Sequence, residues 1–233
     1  MPPATASCGF APFNFAGHEW RIGDSRAVHW PAQNALLVAD LHLEKASWFA
    51  RRGQMLPPYD SRETLERLGA ALAETGARRI LCVGDNFHDG EGPRRMEPEA
   101  QRLLADLARR ADLVWITGNH DAGLEGVAGE VVAELEIDGI ALRHEAENEI
   151  NKPEISGHYH PKLRLNIRGR TITRPCALRS ESRLILPAFG TLTGGMDAAS
   201  PALIHAMQPA TAIDAITIAA GKSVQIPVWR PSV

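Results

Sequence analysis

Hydrophobic and polar positions in the first half of the chain follow two alternating periods, which predicts strands interleaved with helices. Three short apolar runs, ALLVAD, RRILCVGD and LVWITGNHD, are typical of buried strands. Between them, SRETLERLGAALAETG and EPEAQRLLADLARRAD carry apolar residues at helical spacing, and the first of these helices is predicted to begin at Ser61 and to end at Gly76. Strands that alternate with helices in this way predict the crossover units of a largely parallel sheet.

Short strands dominate the remainder of the chain. HEWRIGDSRAVHW predicts two strands around a Gly23-Asp24 turn, and VVAELEIDGIALRHEA predicts a hairpin at Asp138-Gly139. Further strands, interrupted by Gly and Pro, are predicted in EISGHYH, RLNIRG, TITRP, SRLILPAFG and DAITIAAGKSVQIPVW. We therefore expect one domain over residues 1–233, with an α/β half at about 25–128 and a β-rich half at about 129–230.

Candidate metal ligands lie where the predicted strands end, which is the edge at which open α/β sheets place their ligand sites. The motifs LLVADLH, CVGDNFHD, ITGNHD, ALRHE and ISGHYH supply Asp40, His42, Asp85, Asn119, His120, Asp121, His144, His158 and His160. Imidazole nitrogens mixed with carboxylate and amide oxygens suit Mn, Fe or Zn better than Ca or Mg alone. These ligands are too many for one ion, whereas two ions about 3.5–4 Å apart would use them and promote in-line displacement at phosphorus.

The order and context of these motifs resemble the calcineurin-like metallophosphoesterase superfamily. The matching features are DLH, GDNFHD, GNHD, a lone histidine after a strand, and GHYH. The resemblance implies an α/β fold built as a four-layer α/β/β/α sandwich, with two divalent metal ions as cofactors. It also implies that one ion is held by Asp40, His42, Asp85 and His160, and the other by Asp85, Asn119, His144 and His158.

The same resemblance implies catalytic roles beside the predicted metal pair. His120 would face the scissile phosphate and assist the leaving oxygen, and Asp121 would orient its ring through a hydrogen bond. A histidine suits this task because its proton is transferable near neutral pH. The chain departs from the usual GDxxD spacing, since the third position after Asp85 is His88 and Asp89 follows it. We therefore predict that His88 contacts the phosphate.

Segments outside the metal motifs resemble the bacterial ligase-associated metallophosphoesterases, which are described as DNA-damage-response endonucleases. These segments are FARRGQMLPPYDSRETL, GDNFHDGEG and LPAFGTLTGGMD, and with them the likeness covers most of residues 15–230. It implies a manganese-dependent phosphodiesterase or single-strand endonuclease that acts on DNA in repair, with Mn²⁺ ahead of Zn²⁺, Fe²⁺ or Mg²⁺. It further implies a functional association with a DNA ligase and a helicase.

Two other functions stay open at this point. A phosphodiesterase or phosphatase for nucleotides or other small molecules would use the same metal motifs. A catalytically inactive scaffold with this fold would bind a partner protein instead. Such scaffolds tend to lose the catalytic histidine, whereas His120 is intact in this chain.

The charge distribution bears on the substrate. A net charge of −3 argues against a general nucleic-acid binder, for which a clear positive excess is expected. Residues 162–183 nevertheless hold seven basic residues and one acid, a local charge of +6, so the remainder carries −9. The seven are Lys162, Arg164, Arg168, Arg170, Arg174, Arg179 and Arg183. They predict an electrostatic track for a nucleic-acid strand, although arginines on a solvent-facing strand would give the same pattern.

Two pairs of side chains after the first motif have competing interpretations. Arg51 and Arg52 would either bind substrate phosphate or complement the dipole at the end of a helix. Trp48 and Phe49 are expected in the core rather than in the wall of the site.

Composition and cysteine content limit the class of protein. With 44% hydrophobic and 23% charged residues, the chain is typical of a globular protein. Cys8, Cys82 and Cys176 form no CxxC pattern, which predicts neither disulfides nor a thiolate zinc site and favours a reducing, cytoplasmic setting. The first residues lack the pattern of an export signal, and no stretch approaches the roughly 18 apolar residues of a membrane span. We expect no membrane contact.

Overall fold

Within the residues that the structure describes, two seven-stranded sheets and a three-stranded sheet make up the fold. The computed structural model describes residues 9–147 and 151–231. In the first large sheet the strands follow chain order, as β1 (Phe10–Phe15), β2 (His18–Gly23), β3 (Val28–Trp30), β4 (Ala35–Ala39), β5 (Arg79–Val83), β6 (Asp112–Ile116) and β7 (Glu130–Val132). Strands β1 to β4 pair antiparallel, whereas β4 to β7 pair parallel. The predicted crossover units are therefore confirmed.

Helices between the parallel strands cover one face of this sheet. They are α1 (Lys45–Ala50), α2 (Asp60–Thr75), α3 (Gly92–Arg95) and α4 (Pro98–Arg110), and a 3₁₀ turn spans Pro31–Gln33. Leu65 and Leu68 of α2 share a buried core with Leu36 and Val38 of β4. This packing follows from the helical spacing of the leucines and the two-residue period of the strand.

The start of α2 differs from the sequence prediction, whereas its end does not. The helix begins at Asp60, and the Ser61 hydroxyl turns away from the helix to accept from the Glu44 N–H at 2.8 Å and donate to the Glu44 carboxylate at 2.7 Å. Gly76 ends the helix in the left-handed conformation, with φ of 65°, as predicted. Ser61 therefore fixes the segment that follows the DLH motif instead of capping its own helix.

The second large sheet comes from the later part of the chain. Its order is β17 (Lys222–Trp229), β16 (Ile213–Ala219), β13 (Ala177–Arg179), β14 (Arg183–Ile185), β10 (Glu154–Ser156), β9 (Ile140–Leu142) and β8 (Leu135–Ile137). Strands β8 and β9 form the hairpin predicted at Asp138-Gly139. Strands β9, β10 and β14 are parallel neighbours, so their carboxyl ends lie at one edge.

The two large sheets pack face to face. Leu37 and Ala39 of β4, which alternate with the residues that face the helices, share a core with Ile155 of β10 and Leu184 of β14. Both halves of the chain thus contribute to one buried interface. The expectation of one domain over residues 1–233 stays a prediction.

A third core covers the outer face of the second sheet. Here Leu178 and Ile185 pack with Leu203 of α5 (Pro201–Ala206) and with Leu163 of β11. The small sheet contains β12 (Arg170–Pro175), β11 (Pro161–Ile167) and β15 (Met196–Asp197) in that order. The α/β/β/α sandwich is confirmed, with a thin fourth layer of one short helix and three strands.

Both cysteines within the described residues, Cys82 and Cys176, are buried and free, whereas Cys8 lies outside the described residues. Among the helices that the structure describes, none combines the length and the apolar character needed to cross a membrane.

Candidate metal centre

The predicted ligands converge at the edge where the two large sheets present their parallel strand ends. Asp40 follows β4 directly, and Asp85 and Asn119 follow β5 and β6 after short turns. From the second sheet, His144 follows β9, and His158 follows β10. Because β4, β5 and β6 run parallel, as do β9 and β10, residues far apart in the sequence meet at one place.

Five of these residues have left-handed backbone conformations. They are Asp40, His42, Asp85, His158 and His160, with φ of 52°, 45°, 44°, 71° and 49°. This region costs a residue with a Cβ roughly 1–2 kcal/mol. A cluster of such residues at one place is a feature of functional sites, where the surrounding structure holds the strained conformation.

The first group of side chains contains Asp40, His42 and His160. Their candidate ligand atoms all lie within 4.8 Å of one another. The Nε2 atoms of His42 and His160 are 3.3 Å apart, and His160 Nε2 lies 3.6 Å from Asp40 Oδ1. Asp40 is completely buried, and its carboxylate accepts from the His158 N–H at 3.0 Å.

The second group contains Asp85, His144 and His158, with ligand atoms again within 4.8 Å of one another. His144 Nε2 lies 2.9 Å from His158 Nδ1 and 2.8 Å from Asn119 Oδ1. Asn119 therefore lies next to this group, and its role as a ligand stays a prediction.

Asp85 lies between the two groups. Its Oδ2 is 3.7 Å from His42 Nε2 in the first group, and its Oδ1 is 3.5 Å from His144 Nε2 in the second. A carboxylate whose two oxygens face two different sets of ligands suits a bridge between two cations. The arrangement fits a binuclear divalent metal site.

The state of the imidazoles supports this fit. Burial, followed by the neighbouring His160, lowers the pKa of His42 to about 2. Burial likewise lowers the pKa of His144 to about 4, although Asp40 opposes the shift. Neutral imidazole is the form that coordinates metal. The Nδ1 atoms of His42 and His144 are buried without hydrogen-bond partners among the described residues.

Three motif glycines are functional residues that the sequence interpretation missed. A Cβ on Gly84 would lie 1.9 Å from His144 Nδ1, and one on Gly118 would lie 2.3 Å from Asp85 Oδ1. A Cβ on Gly157 would lie 2.8 Å from Asp40 Oδ2. Each glycine therefore leaves room for a ligand from another strand. The sequence contains a signal for these glycines, because each one directly precedes a candidate ligand. The pairs are Gly84-Asp85, Gly118-Asn119 and Gly157-His158.

His120 lies beside the two groups with one ring nitrogen directed at them. Its backbone N–H donates to Asp85 Oδ1 at 3.0 Å, and its Nδ1 is 2.9 Å from the backbone carbonyl of His88. Because a carbonyl only accepts, Nδ1 carries the proton in this contact. The other nitrogen, Nε2, lies 4.0 Å from Asp85 Oδ2 and is free to face a substrate.

The predicted hydrogen bond from Asp121 to the His120 ring is wrong. The buried Asp121 carboxylate accepts instead from the N–H groups of Asn86, Phe87 and Gly118, at 3.0, 2.9 and 2.9 Å, and from the Asn86 amide at 2.9 Å. Burial raises the pKa of Asp121, and these N–H donors oppose the shift. Asp121 therefore joins the GDNF and GNHD loops, and the ring of His120 is oriented by His88.

We expect Asp121→Asn to lower the free energy of unfolding by about 2–4 kcal/mol, because the amide leaves buried N–H donors without an acceptor oxygen. Urea unfolding of the variant and the wild-type protein measures the difference. Unchanged stability together with lost turnover would favour the ring-orienting role instead.

His88 lies at the site. Its role as a phosphate contact stays a prediction. Its ring stacks on His120 with centroids 5.0 Å apart, and burial lowers its pKa to about 4. With His42 and His120 it forms a third group whose candidate ligand atoms lie within 4.8 Å. Asp89 is not available to restore the usual spacing, because its carboxylate pairs with Arg95 at 2.5 Å.

Trp48 and Phe49 line the outer side of His88, which differs from the expected core position. Both are half-buried, with ring centroids 4.7 and 5.7 Å from that of His88. Arg52 covers the Trp48 ring at 3.5 Å and donates to the Trp48 carbonyl at 3.1 Å, a contact that supports the helix-end interpretation. Arg51 is exposed at the end of α1. A substrate-binding role for either arginine stays a prediction.

Paired clusters of His and Asp at the strand ends of a four-layer sandwich define a metal-dependent phosphoesterase. Residues 34–172 match the family model described as calcineurin-like phosphoesterase. The chain belongs to this family.

Solved structures include similar proteins. The crystal structure of a Pseudomonas putida nuclease named MPE is 30% identical, with a TM-score of 0.69, over 94% of this chain and 99% of that one. The E. coli phosphoesterase Yfce is 16% identical, with a TM-score of 0.40, over 83% of this chain and 98% of that one. No curated protein matches the sequence.

Proposed function

We propose that the chain is a nuclease that cleaves phosphodiester bonds of single-stranded DNA and acts in DNA repair. The observation that carries the proposal is the position of the basic segment. Strand β11 begins at Pro161, directly after His160 of the metal centre, so the β11–β12 hairpin extends from the site. The similarity to a Pseudomonas putida nuclease supports the same substrate class.

Five of the seven basic residues of this segment divide into two sets. Arg183 is buried and pairs with Glu154 at 2.8 Å, and Arg179 pairs with Asp214 at 3.3 Å, so both are structural. On the hairpin, Arg168 and Arg170 are exposed, and Arg164 is exposed with one long ion pair, at 3.7 Å, to Asp197. These exposed cations are available to neutralise phosphates of a strand that crosses the metal centre.

Phosphodiester cleavage by this site needs a cofactor and a proton donor. A bound metal pair supplies Lewis-acid activation of water and neutralises phosphate oxygens. The candidate residues are Asp40, His42, Asp85 and His160 for one ion, and Asp85, Asn119, His144 and His158 for the other. In its imidazolium form, His120 would donate the Nε2 proton to the leaving oxygen, since its Nδ1 proton is engaged by the His88 carbonyl. The mixed nitrogen and oxygen donors favour Mn²⁺, and Zn²⁺, Fe²⁺ and Mg²⁺ are the alternatives.

The hairpin provides a test of the substrate class. We expect the triple variant Arg164→Gln, Arg168→Gln, Arg170→Gln to raise KM for single-stranded DNA about tenfold and to reduce the salt dependence of log KM by about 2, since each phosphate contact contributes about 0.7. Cleavage of bis-p-nitrophenyl phosphate should change far less, because this ester does not reach the hairpin.

A matched control removes the same charge elsewhere. Arg102, Arg109 and Arg110 are exposed on α4, away from the strand ends, so their replacement by Gln should leave KM for DNA nearly unchanged. If the hairpin variant cleaves DNA with the wild-type KM and salt dependence, the hairpin arginines do not bind the substrate strand; if wild-type protein cleaves only the small ester, the substrate is a small phosphodiester. A cytoplasmic location and an association with a DNA ligase and helicase stay predictions.

A further inference from the structure

A cavity of about 330 Å³ lies beside His160, between the start of β11 and the turn at residues 190–195. The polar residues that line it are Arg26, His160, Lys162, Thr173, Thr191 and Thr193. Carboxylates are absent from the lining within the described residues. A cavity with two cations and three hydroxyl groups is suited to an anion.

Arg26 has donors to spare in this cavity. Its backbone is left-handed, with φ of 75°, in a turn where its N–H donates to the Gly23 carbonyl at 2.8 Å. Its Nη1 makes two long contacts, each at 3.4 Å, to the carbonyls of Ala188 and Gly190. A guanidinium group has five N–H donors, so most of them are not used by these contacts. Partial burial, which also lowers the pKa of Arg26, makes an anionic partner more favourable than it would be in water.

Lys162, the second cation of this cavity, packs against the turn at residues 190–195. A Cβ on Gly195 would lie 2.5 Å from Lys162 Cε and 2.6 Å from the His160 carbonyl, so the glycine permits the lysine stem to lie across the turn. Lys162 is half-buried, and its Nζ forms no hydrogen bond or ion pair in the part of the chain that the structure describes. The GTLTGG turn therefore positions a cation directly next to a candidate metal ligand.

A second cavity, of about 530 Å³, shares Arg26 and Pro175 with the first as lining residues. Its lining contains both a cation, Arg174, and a carboxylate, Asp24. The first cavity is therefore the better anion site of the two, because its lining, in the described part of the chain, holds cations and hydroxyl groups without a carboxylate.

We propose that the first cavity binds the phosphodiester next to the scissile one, and so selects polynucleotides over esters with a single phosphate. The proposal rests on the proposed nuclease function and adds a defined subsite to it. This subsite is distinct from the exposed arginines of the hairpin, because Arg26 comes from the turn between β2 and β3 and lies within a cavity.

The test measures KM and kcat of Arg26→Gln and Lys162→Ala for a labelled oligothymidylate and for bis-p-nitrophenyl phosphate. We expect the ratio of the two KM values to shift about tenfold against the oligonucleotide in each variant, which corresponds to the loss of one charge-assisted contact. Arg102→Gln on α4 is the control. Lys162→Ala provides an independent result if Arg26→Gln loosens the turn that Arg26 contacts.

The outcomes separate the two proposals. If wild-type protein cleaves the oligonucleotide and both variants keep the wild-type ratio, the subsite is wrong and the nuclease function stands. If wild-type protein cleaves only the small ester, the nuclease function is wrong, and the subsite fails with it. A salt dependence of oligonucleotide KM that decreases by about 0.7 in each variant would support a direct phosphate contact.

Discussion

Replacing His120 with alanine is expected to lower kcat for phosphodiester cleavage about 10²–10⁴-fold, the usual contribution of a positioned proton donor. The expectation follows from the contacts of the two ring nitrogens of His120. Nδ1 is held by the His88 carbonyl at 2.9 Å, and Nε2 faces Asp85 from 4.0 Å, outside the predicted ligand sets. Metal content, measured by elemental analysis after dialysis, should therefore stay at two ions per chain while turnover falls.

The control for this variant is His205→Ala, because His205 is exposed on α5, in the outer layer. It should keep both turnover and metal content. A His120→Ala protein that loses metal as well as activity would contradict the proton-donor role. It would instead assign His120 to the third group of imidazoles, with His42 and His88.

Asp85→Asn is expected to weaken metal binding by more than about 10²-fold, since even residues that only orient ligands contribute up to that factor. The side chain keeps its shape but loses the charge that faces both groups, at 3.7 Å from His42 and 3.5 Å from His144. Turnover at fixed metal concentration should fall with metal occupancy. Calorimetric titration of stripped protein measures the affinity.

Asp89→Asn is a matched control from the same motif, because the Asp89 carboxylate pairs with Arg95 instead of facing the ligand groups. It should bind metal as the wild-type protein does. Equal metal affinity in Asp85→Asn and wild-type protein would show that Asp85 does not bridge two ions.

The positions of the candidate ligands could be predicted because each buried strand ends in a polar motif. The apolar run ALLVA becomes β4, and the next residue, Asp40, is the completely buried carboxylate of the first group. The same rule places Asp85 after β5 and Asn119 after β6. Strand ends in a parallel sheet meet at one edge, so sequence order alone was enough to bring these side chains together.

Hydrogen bonds within the site could not be predicted, because they depend on how separate loops pack. Asp121 is next to His120 in the sequence, yet its carboxylate accepts from the loop that contains Asn86 and Phe87. The ring of His120 is oriented instead by a backbone carbonyl, that of His88. Any residue has such a carbonyl, so the sequence carries no signal for it.

The sequence pattern also does not show which basic residues form ion pairs. The seven basic residues between Lys162 and Arg183 look equivalent in the sequence. Arg183 nevertheless becomes a buried partner of Glu154, whereas Arg26, more than a hundred residues earlier, lines the cavity beside Lys162. Long-range packing decides which cations are paired and which line a cavity, and local composition does not record it.

The most direct test of the account is cleavage of labelled single-stranded DNA, and in parallel of bis-p-nitrophenyl phosphate, by protein stripped of metal and refilled with Mn²⁺, Zn²⁺ or Mg²⁺. We expect no cleavage by the stripped protein and cleavage of both substrates after refilling with Mn²⁺. Failure to cleave either substrate with any of the three ions would contradict it.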